Sequence, residues 1–278
     1  MIYDASIRYR LLKDRLFKIS LGVLSCILLM PLLFILYYIF INGITAFSFD
    51  FFLELPKPVG EAGGGISNAI VGTLLLIAVA STISIPFGVL IGLYLSENKT
   101  GKLPDITRLC IDTLQGIPSI VMGIIAYTWI VIPLGSFSLF SGAFALSLMM
   151  IPLISKSTEE TLNLIPDALK EAAYALGAPY HTTLLRVIIP SGKSGLCSGI
   201  LLGVARVSGE TAPLLFTAFG NPFMSVDLFK SVNSLPLLIF NYATSPYQDW
   251  QNLAWGASLL LVLFVLSLSL IAKVVSKR

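Results

Sequence analysis

Charge is scarce in this 278-residue chain: Asp, Glu, Lys and Arg make up only 12% of it, against about 25% in a soluble domain. A soluble fold of this length needs a polar exterior, so lipid must act as the solvent for much of the surface. Histidine is reduced to His181 alone, which leaves no pair of imidazoles to share a metal. The three cysteines, Cys26, Cys110 and Cys197, sit in apolar surroundings with no ligand spacing, which excludes a disulfide framework and a structural zinc site. A phosphate-cradling loop is missing as well. Ser191-Gly192-Lys193-Ser194 ends like a P-loop, but the first glycine of GxxxxGK[ST] would fall at Val187. No nucleotide or other cofactor is therefore expected on this chain, and ATP can enter only through a partner. An intramembrane enzyme is also disfavoured, because no HExxH and no paired carboxylates occur in the apolar stretches. The net charge of +3 is small, and nucleic acid is not an expected partner.

Apolar residues, in contrast, fill 56% of the chain, and the mean hydropathy is +0.88. Six stretches are candidates to cross a hydrocarbon core of about 30 Å: 19–41, 67–95, 109–132, 142–155 with an extension over 137–140, 195–219 and 253–275. The fourth is interrupted by Pro152. The first continues through Tyr37, Tyr38 and Phe40 and reads as a retained helix rather than a cleaved leader. A block at 235–240 is too short to span and reads as interfacial or re-entrant.

The basic residues test this count. With six spans and the N-terminus inside, the inner segments 1–18, 97–108, 156–194 and 273–278 hold 15 of the 18 Lys and Arg residues. Lys57 and Lys230 fall outside, and Arg206 falls within a span. This is the positive-inside asymmetry, and it places both termini in the cytoplasm. Trp129, Trp250 and Trp255 lie at outer ends. Residues 1–18 carry an apolar stripe at positions 3, 7 and 11 among five basic residues, which predicts an amphipathic helix on the inner membrane surface, ahead of a transmembrane domain over 19–278.

Within the spans, Gly88 and Gly92, and separately Gly195, Gly199 and Gly203, form small-residue stripes suited to close helix packing. Pro86, Pro118, Pro152 and Pro213 predict irregular or hinged helices. The most informative polar group is Arg206-Val207-Ser208-Gly209-Glu210-Thr211. Arg206 lies about 16 Å along the helix axis from Gly195, near the midplane, where a charge costs at least about 2.5–3.5 kcal/mol. Glu210, four residues on, is expected on the same helix face. Either the two neutralise each other, or Arg206 offers its forked donors to a transported oxyanion. Ser208, Thr211, Asp112 and Gln115 are secondary candidates for the same route.

The inner segment after the fourth span does not read as a plain connection. Residues 167–176 have helix-forming composition, with Pro166 to start the helix and Gly177 to end it. A second short helix then runs to a stop at Pro190. Two short helices at a fixed angle form a knob that a soluble partner could grip.

Glu171-Ala172-Ala173, Gly177 and Val187-Ile188-Ile189-Pro190 match the spacing of the EAA loop, and here the chain resembles the membrane permeases of binding-protein-dependent ABC importers. Val187 and Ile189 replace the usual isoleucine and leucine. More narrowly, Gln115-Gly-Ile-Pro118-Ser-Ile-Val-Met-Gly123 and Ala205 to Phe216 resemble the PstA-type subunits of phosphate importers. The resemblance implies an all-α, six-helix, type I (MetI-like) permease fold with a cytoplasmic coupling loop at about 157–190, in a bacterial inner membrane. It implies a PstC-type permease partner, two ATP-binding subunits carrying ATP and Mg, and an extracytoplasmic phosphate-binding protein. Glu171, Ala172, Ala173, Gly177 and Pro190 would then couple to the ATPases, and Arg206 with Glu210 would line the phosphate route. A permease for sulfate or molybdate, and a non-transporting membrane scaffold, are the competing readings.

Overall fold

The computed structural model describes residues 2–61 and 63–276, and these are helical apart from connections and one isolated bridge between Phe219 and Val232. The first helix, α1, runs Ile2–Ile44 as one rod of 43 residues, about 64 Å at 1.5 Å per residue. The expected amphipathic segment 1–18 is therefore not a separate element; the described part of it forms the opening turns of the first helix. Pro31 lies within the rod without ending it. Its most apolar stretch is not buried against any described residue. It meets the rest of the chain near its end, where Gly43 lies against Leu259 and the Trp255 carbonyl and Tyr38 packs edge-on to Trp255 at 5.3 Å.

A short helix α2 (Phe49–Leu53) capped by Ser48 leads to α3 (Ser67–Glu97). The next apolar stretch, expected as one span, is bent. The two parts, α4 (Lys102–Gly116) and α5 (Ser119–Leu134), meet at 104°. Pro118 stands at the corner: it has no N–H to donate and disfavours the helical region for the residue before it, and Ile117 is extended at φ −71°, ψ 132°.

The fourth stretch is the centre of the bundle. Helix α6 (Leu139–Asn163) passes through Pro152 unbroken and extends well past the expected end at 155. Its buried face, Leu139, Ala143, Leu146, Met150 and Ile154, packs with Leu76 and Ala80 of α3 and with Val207, Leu214 and Leu237. Both glycine stripes face this helix. A Cβ on Gly88 would lie 2.7 Å from Ile154 Cβ, one on Gly92 2.5 Å from Thr158 Cβ, and one on Gly199 2.7 Å from Ser157 Cβ. Backbones approach where side chains are absent, which is how helices associate in a solvent as apolar as their own surfaces.

Beyond α6 come α7 (Asp167–Ala175), α8 (Tyr180–Ser191) and α9 (Lys193–Val207), the last two bent by 68° at Gly192. Pro190 does not stop the second short helix as expected. The turn before it, Leu184–Ile188, is widened, with the Ile189 N–H donating to the Leu184 carbonyl five residues back. The same device precedes Pro133 in α5, where the Ile132 N–H reaches the Tyr127 carbonyl. A π-type turn makes room for a proline ring that would otherwise clash with the preceding turn.

The fifth apolar stretch is also not one helix. It breaks after Val207 and resumes as α10 (Ala212–Thr217). The short block at 235–240 becomes α11 (Leu235–Ala243), capped by Ser234 and largely enclosed, and α12 (Gln248–Ser276) closes the fold. Among the described residues, four helices are long and apolar enough to cross a membrane, the first counted from Tyr9, and the number rises to six if each bent pair is one span.

Candidate functional site

Two places bring together the residues singled out in the sequence: the break after α9, and the face made by α7, α8 and the adjoining helix ends.

At the break, the Ser208 hydroxyl donates back to the Val204 carbonyl at 2.6 Å, and the Glu210 N–H donates to the Val207 carbonyl. Back-bonding of this kind loosens a helix end, Gly209 tolerates the turn, and Pro213 sits in the first turn of a new helix, where its missing N–H leaves no bond unmade. So α9 stops, and α10 starts from Thr211, whose carbonyl accepts from the Leu214 and Leu215 N–H groups. The segment is held from behind. Val207, Ser208, Pro213 and Leu214 are buried, and α5 approaches so closely that a Cβ on Gly123 would lie 2.6 Å from Pro213 Cα.

Arg206 occupies the last turn of α9 and is exposed on the isolated chain; Glu210 lies in the break and is half-buried. The expected placement of Glu210 on the same helical face is thus corrected, because helical geometry ends at Val207. The two form no ion pair with each other, and neither enters an ion pair with any other described residue. Among the secondary candidates, Ser208 is committed to its own helix and Thr211 stands at the start of α10. Asp112 and Gln115, one turn apart on α4, both reach α6: Asp112 accepts from Lys156 Nζ at 2.7 Å, and Gln115 Nε2 donates to the Pro152 carbonyl at 3.1 Å. These two tie the bent α4 to the central helix.

Along α7 the helix boundaries follow the sequence. Pro166 opens α7, and Gly177, at φ +78°, closes it: the Gly177 N–H donates to Tyr174 and the Ala178 N–H to Ala173. Only glycine takes that conformation at little cost. Ala173 is turned inward, and Glu171, Ala172, Gly177 and Pro190 are exposed. Leu164 and Leu176 stand 84% and 89% exposed on the same segment, an arrangement that a soluble partner could cover.

One group was not legible in the sequence as a group. Arg108 of α4 donates through Nε to Glu159 of α6 at 2.7 Å, and through its other nitrogens to the carbonyls of Leu95, Asn98 and Lys99 at the end of α3. Beside it, Lys170 of α7 pairs with Glu97 at 2.5 Å, and Lys99 pairs with Asp167 at 3.3 Å. The sequence shows these residues only as inner charges, since the partners lie 51 to 73 positions apart.

A polytopic bundle with a broken helix whose arginine pairs with no described acidic residue, and a two-helix knob where α3, α4 and α6 meet, defines the membrane component of a transporter. The chain belongs to the binding-protein-dependent transport system inner membrane component family, which matches residues 84–278. Among its relatives, the phosphate transport system permease protein PstA of Yersinia pestis is 43% identical over 245 residues, covering 88% of this chain and 83% of the relative. The protein of the same name from Haemophilus influenzae is 40% identical over 260 residues and covers 92% of each. In structure, the chain is similar to one from the inward-facing MetNI methionine ABC transporter, with a TM-score of 0.64 at 18% identity, over 76% of this chain and 94% of that one. A chain of an amino acid ABC transporter with histidines gives 0.57 at 16% identity, over 77% and 93%. The fold is thus the all-α ABC-importer permease fold of MetNI type, and the chain is a multi-pass membrane protein.

Proposed function

We propose that the chain is the permease subunit through which an ATP-driven importer moves inorganic phosphate into the cytoplasm by alternating access. The observation that carries the reading is the 43% identity, across most of both chains, to a permease named for phosphate transport. The site fits that cargo in kind. Arg206 presents a charge that no described residue of its chain pairs with, at the edge of a broken helix, and a guanidinium binds tetrahedral oxyanions through parallel hydrogen bonds. Glu210 sits in the break three backbone steps past the helix end, placed to orient that arginine or to hold it between cycles. The chain carries no nucleotide motif, so ATP and Mg are assigned to two partner ATPase subunits. These would dock on Glu171, Ala172 and the exposed leucines of α7 and its flanks, with Ala173, Gly177 and Pro190 shaping the knob. A PstC-type permease would complete the pathway, and a phosphate-binding protein would deliver from outside. The placement of basic residues supports an inner-membrane orientation with both termini in the cytoplasm.

Competition tests the cargo. In vesicles holding the chain with its partner subunits and the binding protein, labelled phosphate uptake should be lowered by arsenate and left unchanged by equal sulfate or molybdate. Displacement by sulfate or molybdate, with no preference for phosphate, would move the assignment to another oxyanion.

A further inference from the structure

The helix that a partner ATPase would grip is held to the membrane bundle chiefly by charge. Of the residues of α7 only Ala173 is buried, so little apolar packing transmits its motion. Its strongest lateral contact is Lys170 to Glu97, the last residue of α3. That pair is largely enclosed, with side-chain exposures of 19% and 17%, whereas the neighbouring Lys99–Asp167 pair is 61% and 64% exposed. Enclosure reduces screening by water and salt, and exposed pairs contribute little, so Lys170–Glu97 is the contact that matters.

Glu97 also breaks a local rule. A carboxylate at a helix C-terminus faces the negative end of the macrodipole. The same end is already served correctly by Arg108, which donates to the Leu95, Asn98 and Lys99 carbonyls. Selection for the stability of α3 alone would not put a glutamate there. Its cost is offset by Lys170 of α7, 73 residues on. Arg108 then carries the connection onward: it belongs to α4, grips the end of α3, and pairs with Glu159 of α6 at side-chain exposures of 27% and 15%. Further along α4, Asp112 and Gln115 hold α6, and the helix ends at the 104° bend before Pro118.

We infer that Glu97 and Lys170, backed by Arg108, form a positioning relay through which movement of α7 is passed to the α3–α4 corner and so to the bent membrane helices. This rests on the transport reading above and adds to it the residues that convert ATPase movement into transport. None of the three is assigned to substrate.

The test uses the full complex in vesicles with Glu97→Lys, Glu97→Gln and the double exchange Glu97→Lys with Lys170→Glu. The readouts are recovery of the ATPase subunits, ATP hydrolysis, and anion uptake per ATP hydrolysed. Glu97→Lys should lower uptake per ATP by about tenfold with ATPase recovery unchanged, and the exchange should restore it to within about threefold, as expected for a directly coupled pair. An exchange that stays as low as the single variant, or equal falls in hydrolysis and uptake that leave their ratio intact, would overturn the relay. Should Glu97→Lys fail to assemble, Glu97→Gln keeps the length and decides: a lowered ratio supports the relay, an unchanged one overturns it. Wild-type vesicles run alongside separate the two readings, since absence of phosphate uptake there contradicts the cargo and not the relay.

Discussion

Arg206 carries a charge that no described residue of its own chain neutralises, and it does so in a stretch that composition assigns to the membrane. Removing it should therefore cost the fold little and the transport much. Arg206→Ala is expected to leave the melting temperature in detergent and the recovery of partner subunits unchanged. Its uptake rate should fall about tenfold to a hundredfold, the equivalent of losing a hydrogen bond to a charged group worth about 1.5–3 kcal/mol. Arg206→Lys should recover only part of the rate, because an ammonium keeps the charge without the fork. Uptake by the alanine variant at the wild-type rate would take Arg206 off the route. The arginine itself was legible in the sequence, since a guanidinium in an apolar run always demands an account. The geometry of Glu210 was not. Four-residue spacing predicts a shared helical face only if the helix continues, and Ser208, Gly209 and Pro213 together end it.

At the scale of elements, the long apolar helices and the inner knob were readable from pattern alone. The span count rested on lengths and basic residues, and the knob on Pro166 and Gly177, whose backbone preferences are strong and local. The bends were harder to read because proline acts differently by context. Pro118 opens a 104° corner, Pro152 lies within an unbroken, enclosed helix, and Pro190 is absorbed by a widened turn. Only the neighbours decide among these outcomes. The glycine stripes make a prediction at this scale. Gly92→Leu would drive a side chain into Thr158 and Ser155, and overpacking of this kind costs about 1–3 kcal/mol. The melting temperature of the purified chain should fall; an unchanged one would show that α3 and α6 separate more readily than their packing implies. The knob makes another prediction. Glu171 is exposed and makes no ion pair among the described residues, so Glu171→Lys should leave the chain folded but reduce recovery of ATPase subunits on pull-down. Recovery at the wild-type level would remove Glu171 from the docking face.

For the whole molecule, the first helix shows most clearly what a single chain lacks. None of its apolar window is buried against the bundle, whereas α6 is 61% buried over its own. Sequence could show that both are apolar, but not which one forms the centre, because in a membrane the lipid-facing and protein-facing surfaces share a composition. The same limit hid the Arg108 and Glu97 contacts, which join helix ends far apart along the chain. Under the function proposed here, transport belongs to an assembly in which this chain would shape the route and the knob and partner subunits would supply the energy. The most direct test of that account is the initial rate of labelled phosphate accumulation in vesicles holding the binding protein and all partner subunits, with this chain present or omitted. Accumulation should require both ATP and this chain. Equal accumulation in its absence, or none in its presence with ATP hydrolysis intact, would contradict it.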